Sequence, residues 1–182
     1  YVPLSGEGST LDGLNIHFAS IDELHAHKTR AVFDVLETAT GSREQPLIWA
    51  ITTAGFDRSG ICYEQRNYVT SLLNATLLKH GGLGYTVKGN IAQDDTYFGI
   101  IYTIDDGDDW TDPKSWVKAN PNYGISVSET DIEKLARKAA KVSSARNNFL
   151  TKRLNVWVNA SEAWMDMVKW EACANPEIKL SD

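Results

Sequence analysis

Two adjacent carboxylates, Asp22 and Glu23, close a mostly apolar run that begins at Ile16. Ile16, Phe18, Ala19 and Ile21 give that run the character of a strand covered on both faces, although its length alone leaves a helix open. At the carboxyl end of a parallel strand, side chains emerge where ligands bind, so the pair is placed for chemistry. Neighbouring carboxylates suit phosphoryl transfer. One holds a magnesium ion through its water shell while the other orients or deprotonates an attacking water. Mg2+ keeps several waters and takes few protein carboxylates, so Asp22 alone is sufficient. The plainer alternative is that Asp22 and Glu23 begin the helix that follows, because acids favour a helix N-terminus.

The next elements bear on that choice. A helix is expected from about Lys28 to Thr38, then a turn at Gly41, Ser42 and Pro46. Leu47-Ile48-Trp49-Ala50-Ile51-Thr52-Thr53-Ala54-Gly55 follows, a second buried-strand run that ends in small polar residues and glycine. Strand, helix, strand makes a βαβ unit, whose right-handed crossover sets both strand tips on one edge of a sheet. Thr52 and Thr53 can then sense what Asp22 and Glu23 hold.

Four stretches now stand in order: Leu11-Asp12-Gly13-Leu14-Asn15, Ile21-Asp22-Glu23-Leu24-His25-Ala26-His27, Ile51-Thr52-Thr53-Ala54-Gly55, and Asn148-Phe149-Leu150-Thr151-Lys152-Arg153-Leu154-Asn155-Val156-Trp157. Together they resemble the large terminase subunit of tailed bacteriophages, over nearly the whole chain. The resemblance implies an α/β fold, a partial P-loop-type (additional-strand) ATPase sheet with flanking helices, followed by a mainly helical linker. Residues 1–125 would be the C-terminal half of the ATPase domain, and 126–182 the linker toward a nuclease domain. Carried over residue by residue, Asp22 is the Walker B acid that holds Mg2+ through water and Glu23 is the catalytic base. Thr52, Thr53 and Gly55 are the coupling residues that relay hydrolysis to DNA movement. Ser20 departs from the pattern, which prefers an apolar residue there, but it is small enough to tolerate.

The same resemblance implies ATP as substrate in the full-length protein, and double-stranded DNA, a portal protein and a small terminase subunit as partners. It also implies self-association in a ring motor, and a location in the host cytoplasm, transiently at the procapsid portal. His25 and Arg58 are candidates for the nucleotide edge. His25 and His27 lie two residues apart, on opposite sides of a helix, so a shared metal would need loop geometry; local packing is the plainer role. Arg58 and Arg66 are the cations near the proposed site, with surface salt bridging as the plainer reading of either.

A phosphate cradle is missing. No Gly-x-x-x-x-Gly-Lys-Ser/Thr string occurs, and such a loop is what wraps backbone amides around the phosphates. His80 to Gly89 is glycine-rich but completes neither that motif nor Gly-x-Gly-x-x-Gly, and reads as a flexible loop. The chain opens at Tyr1 rather than Met and is read as an internal segment. The family's P-loop would precede it and the nuclease acids would follow Asp182, so Asp166 and Glu171 are not candidates for a nuclease site.

Composition sets outer bounds. The length allows one domain or one and a half. No apolar run approaches the roughly 18 residues of a membrane span, so no membrane partner is expected. Cys62 and Cys173 form no metal-spaced pair and read as free thiols. A net charge of −6 argues against this segment as the main DNA-gripping surface, since duplex binding rests on many Lys and Arg contacts to phosphates. Lys134, Arg137, Lys138, Lys141, Arg146, Lys152 and Arg153 cluster locally, with solvated helix faces as the ordinary explanation.

The remaining elements follow from punctuation and period. Val2-Pro3-Leu4 could be a short edge strand, and a polar Gly-Ser loop leads to Thr10. Ile61 to Leu78 carries a partial helical stripe, and Tyr97 to Ile104 is the strongest β signal in the chain. Asp105 to Asp109 lacks the order of a calcium loop and reads as a solvated turn. Helices are expected from Pro113 with Thr111 or Asp112 as cap, from Ser128 to Lys141, and from Ser143 or Ser144 to about Leu154. Val156 to Val158 is a strand candidate, and Met167 to Ala174 a last helix. With the P-loop strand absent, either an open sheet edge remains or the coupling strand pairs directly with 97–104, across a dimer if need be. Two rival readings stay open: a metal-dependent hydrolase using Asp22, Glu23, His25 and His27, and a non-catalytic prophage remnant.

Overall fold

The computed structural model describes residues 2–4, 11, 13–80, 84–87, 94–159 and 173. The polar loop to Thr10 and the expected helix of Met167 to Ala174 lie outside them, apart from Cys173. The chain divides into two compact units, Tyr1–Tyr102 and Thr103–Asp182.

In the first unit, β1 (Phe18–Asp22) and β2 (Leu47–Ile51) form a parallel pair in a two-stranded sheet, with α1 (Ala31–Thr38) between them in sequence. This is the expected βαβ order. Its register sets Phe18 opposite Leu47 and Asp22 opposite Ile51. The strands are less covered than a fully buried pair would be. In β1 only Ala19 and Ile21 are buried, while Phe18 is 58% exposed; in β2, Leu47, Trp49 and Ile51 are all exposed. Side chains alternate across a strand, and among the described residues β2 pairs with β1 alone, so its outer edge and much of its faces meet solvent.

Helix α1 starts at Ala31, three residues after the expected Lys28. Arg30 stands at its N-cap without a capping side chain, and its guanidinium instead grips Asp34 at 2.8 and 3.0 Å. Val32, Phe33 and Leu36 are its buried face. Helix α2 (Ile61–Thr76) ends slightly before Leu78, because Leu77 opens β3 (Leu77–His80), which pairs antiparallel with β4 (Gly84–Val87). Part of the stretch read as a flexible loop is thus a hairpin arm. Val2, Pro3 and Leu4 form no strand.

Tyr97 to Ile104 is not a strand either, despite its composition. The stretch has no ladder partner among the described residues, and Phe98, Ile100 and Tyr102 are exposed. The Tyr97 hydroxyl donates to Gln65 Oε1 on α2 at 2.7 Å, and the Tyr97 ring meets that of Tyr68 edge-on, centroids 4.9 Å apart. Gly99 passes so close to Val69 that a Cβ there would lie 2.5 Å from Cγ2. Tyr97 and Gly99 thus lie against α2. Among the described residues 97–104 does not pair with β2, so of the two expected outcomes the open β2 edge is the one seen.

The second unit is helical. α3 (Pro113–Ala119) is capped by Asp112, whose carboxylate accepts from the Lys114 N–H at 2.9 Å. α4 (Glu129–Lys141) is capped by Ser128, which accepts from Asp131 N–H at 3.3 Å. Both caps and the proline at N1 are as expected. α5 (Ser143–Arg153) follows after Val142 alone. Trp116, Ile132, Ala136, Ala139, Phe149 and Leu154 are the buried core of this unit. Asn120 Nδ2 donates to the carbonyls of Trp116 and Arg153, both at 2.9 Å, and Thr103 Oγ1 donates to the Leu154 carbonyl at 3.2 Å. Val156 to Val158 is not a strand; Asn155 turns the chain with φ 55, and Val156 N–H donates to the Leu150 carbonyl. That bond folds the segment back on α5.

Candidate active site at the β1 and β2 tips

Parallel pairing brings two distant segments together at one edge. Asp22 ends β1 and is exposed; Glu23 then adopts a left-handed backbone, φ 53 and ψ 46, before a 3-10 turn over Leu24–Ala26. A left-handed conformation costs a non-glycine residue roughly 1–2 kcal/mol and persists only where surroundings impose it. Here Leu24, 2% exposed, anchors the turn, and the Glu23 N–H donates to Asp22 Oδ1 at 2.9 Å. Both acids therefore leave the strand at its end, as expected, but they do so in a turn and not as the first residues of an α-helix.

On the neighbouring tip, Thr52 and Thr53 follow β2, and Ala54 and Gly55 are buried. The two tips meet at His25. Its backbone N–H donates to Thr52 Oγ1 at 3.0 Å, its ring Nδ1 lies 3.0 Å from the same oxygen, and Nδ1 also lies 3.0 Å from Glu23 Oε2. The Thr52 hydroxyl in turn donates to the Thr53 carbonyl at 3.0 Å. The structure thus brings together Asp22, Glu23, His25, Thr52 and Thr53.

Arg58 and Arg66 place their guanidinium carbons 5.9 and 5.7 Å from the centroid of the Tyr63 ring, a cation–π arrangement from two sides of the sequence. Asp57 shapes the loop between Gly55 and α2. Its Oδ1 accepts from the Ser59 hydroxyl and N–H, and these bonds hold its carboxyl below the usual range. Arg30 also reaches Glu64 at 3.0 Å, which ties α1 to the start of α2.

Cys62 was legible only as a free thiol, yet its Sγ lies 3.7 Å from Thr52 Oγ1. Burial pushes this thiol up, against a smaller opposing effect of the Thr52 contact. Nothing in the spacing of residues 52 and 62 signals the contact; the turn through Gly60 into α2 produces it. The His25 to Thr52 bond had a signal, since neighbouring parallel strands carry their following residues out side by side.

Among the described residues no three His, Cys, Asp or Glu side chains stand together as a metal site. Nδ1 of His25 faces Glu23 and Thr52. A magnesium ion needs less. The exposed Asp22 carboxylate offers the hard oxygen that Mg2+ prefers and fits the single-carboxylate, water-shell mode. At Asp105 to Asp109 the expected turn is seen, closed by Lys118 Nζ at 2.6 Å from Asp105 and 2.7 Å from Asp108. The exposed face of α4 carries Lys134, Arg137, Lys138 and Lys141, with Arg137 3.8 Å from Glu133.

Fold and strand-tip group define an α/β protein with an acid pair set beside a threonine turn. The sequence profile of the terminase large subunit ATPase domain matches residues 1–71, and that of the terminase large subunit endonuclease domain matches residues 91–182. The chain belongs to the large terminase subunit family. It is similar to Protein YmfN of Escherichia coli (strain K12), 40% identical over 93% of this chain and 34% of that protein. It is also similar to the large terminase subunit of Enterobacteria phage HK97, 25% identical over 98% of this chain and 32% of that protein. The crystal structure of the HK97 large terminase superposes with a TM-score of 0.60 at 26% identity, over 85% of this chain and 28% of that one. The chain spans about a third of the length of these relatives. No helix among the described residues is long and apolar enough to cross a membrane.

Proposed function

We propose that this chain supplies the hydrolytic acids and the coupling turn of an ATP-driven motor that packages viral DNA into procapsids and cleaves it. The observation that carries the reading is the parallel register of β1 and β2, which sets Asp22 and Glu23 beside Thr52 at one sheet edge. In this reading the first unit belongs to a P-loop-type ATPase. Residues 1–125 would form the C-terminal half of the ATPase domain, and 126–182 the helical linker toward the nuclease. Partners would be double-stranded DNA, a portal protein, a small terminase subunit and further copies in a ring. The site of action would be the host cytoplasm, at the procapsid portal.

Asp22 would hold Mg2+ through water, and the ion when bound would supply charge neutralisation on the transferred phosphate. Glu23 takes the proton of the attacking water as the water oxygen bonds the terminal phosphorus and the bridging oxygen leaves with ADP. Arg58 would stand at the nucleotide edge, while Thr53 and Gly55 continue the coupling turn toward α2. The chain itself carries no Gly-Lys-Ser/Thr phosphate loop, so the segment alone is expected to show little or no turnover.

The test is steady-state ATP hydrolysis by the full-length subunit carrying this segment. Glu23→Gln should lower kcat by roughly 10²–10⁴-fold, the usual contribution of a general base. Undiminished turnover in that variant, or Mg-ATP hydrolysis by the isolated chain that Glu23→Gln abolishes, would overturn the assignment.

A further inference from the structure

We propose that His25 is a positioning residue that joins the hydrolytic carboxylate of Glu23 to the coupling hydroxyl of Thr52 through one shared ring N–H. The proposal rests on the motor reading above and adds to it the physical link between base and relay.

Three contacts carry it. Nδ1 lies 3.0 Å from Glu23 Oε2 and 3.0 Å from Thr52 Oγ1, and the backbone N–H of the same residue fixes Thr52 Oγ1 a second time at 3.0 Å. A carboxylate only accepts, so the ring nitrogen facing Glu23 carries the proton. The Thr52 hydroxyl is directed at the Thr53 carbonyl, so its oxygen faces His25 as acceptor too. One N–H is thus shared by two acceptors on two strand tips. Their exposures differ usefully: the His25 side chain is 11% exposed, that of Glu23 55%. The ring is anchored while the acid it steers remains open to substrate.

A shared donor is a two-position device. When Glu23 turns toward an attacking water, the N–H passes wholly to Thr52, which heads the stretch through Ala54 and Gly55 into the loop before α2. When Glu23 turns back, Thr52 shares the bond again. The position of the base is thereby read, through His25, at the start of the coupling turn.

The variants are His25→Ala, which removes the ring, His25→Asn, whose amide N–H falls near the Nδ1 position, Thr52→Val, and the His25→Ala/Thr52→Val double variant. Glu23→Gln serves as the reference. In the full-length subunit, His25→Ala should lower kcat on the order of 10- to 100-fold, with KM for ATP changed less than about twofold. His25→Asn should recover most of the loss, and the double variant should be no slower than the slower single one. In this chain alone, nitrogen–carbon correlation NMR should find His25 as the Nδ1–H tautomer. A wild-type kcat in His25→Ala beside a dead Glu23→Gln would overturn the proposal and leave the motor reading standing. So would equal loss in His25→Ala and His25→Asn, full additivity, or an Nε2–H tautomer. An active Glu23→Gln would overturn both.

Discussion

Asp22, the last residue of β1, stands directly across the parallel ladder from Ile51, the last residue of β2. One residue further on, each chain leaves the sheet at the same level. That is why the 3-10 turn after Glu23 finds Thr52, separated by 27 residues from His25, within hydrogen-bond distance. The register of two short strands is what assembles the site.

The Thr52 oxygen is the acceptor for the His25 backbone N–H, so Thr52→Val keeps the shape and removes the acceptor. Loss of about 1 kcal/mol in urea unfolding of this chain is expected, the net worth of one such bond. Thr52→Ser, which keeps the hydroxyl, should recover it.

In the second unit Ile132 is fully buried on α4 among Trp116, Ala136, Ala139 and Phe149. Ile132→Ala should cost about 2–5 kcal/mol through lost transfer energy and a residual cavity. Lys134→Ala, on the exposed face of the same helix, should stay within roughly 0.5 kcal/mol. Denaturant midpoints of the two variants side by side separate core from surface.

Asp108 is held below the ordinary aspartate value of 3.8, chiefly by its hydrogen bond from Lys118 and next by the Asp105 N–H. A depressed carboxylate stabilises the fold above its unfolded pKa, and that contribution is lost as pH falls through the folded value. The turn at 105–109 should therefore hold at neutral pH and loosen only below 3.8. In carboxyl-detected NMR titration, Lys118→Met should raise the Asp108 midpoint. No change in midpoint would refute the pairing.

Leu47, Trp49 and Ile51 line an exposed strand whose outer edge is unpaired among the described residues. Such an edge templates association with another chain. Trp49→Lys should shift light scattering of this chain toward the monomer, while Lys134→Glu on α4 should not.

The helical elements were largely legible because their signals are local. Asp112 and Ser128 cap where their side chains accept amide hydrogens two and three residues on, and Ile132, Ala136 and Ala139 repeat at helical spacing. The strands were legible in part. Ile16 to Ile21 and Leu47 to Ile51 gave the right elements, but not how bare β2 is, since composition does not report which neighbours cover a strand. Tyr97 to Ile104 misled because composition does not supply a ladder partner: among the described residues no strand pairs with it, Tyr97 and Gly99 instead meet α2, and Phe98, Ile100 and Tyr102 stay exposed.

The sequence by itself determined the acid pair at a strand end, the threonine-rich turn after the second strand, the helix caps and the kinship with large terminases, because each is written in contiguous residues. Tertiary structure alone decided that Glu23 sits in a left-handed turn, that Nδ1 of His25 faces both Glu23 and Thr52, and that Cys62 lies against Thr52. Those contacts depend on strand register and on the path through Gly60 into α2. Register is a property of two segments at once, and no single stretch of sequence states it.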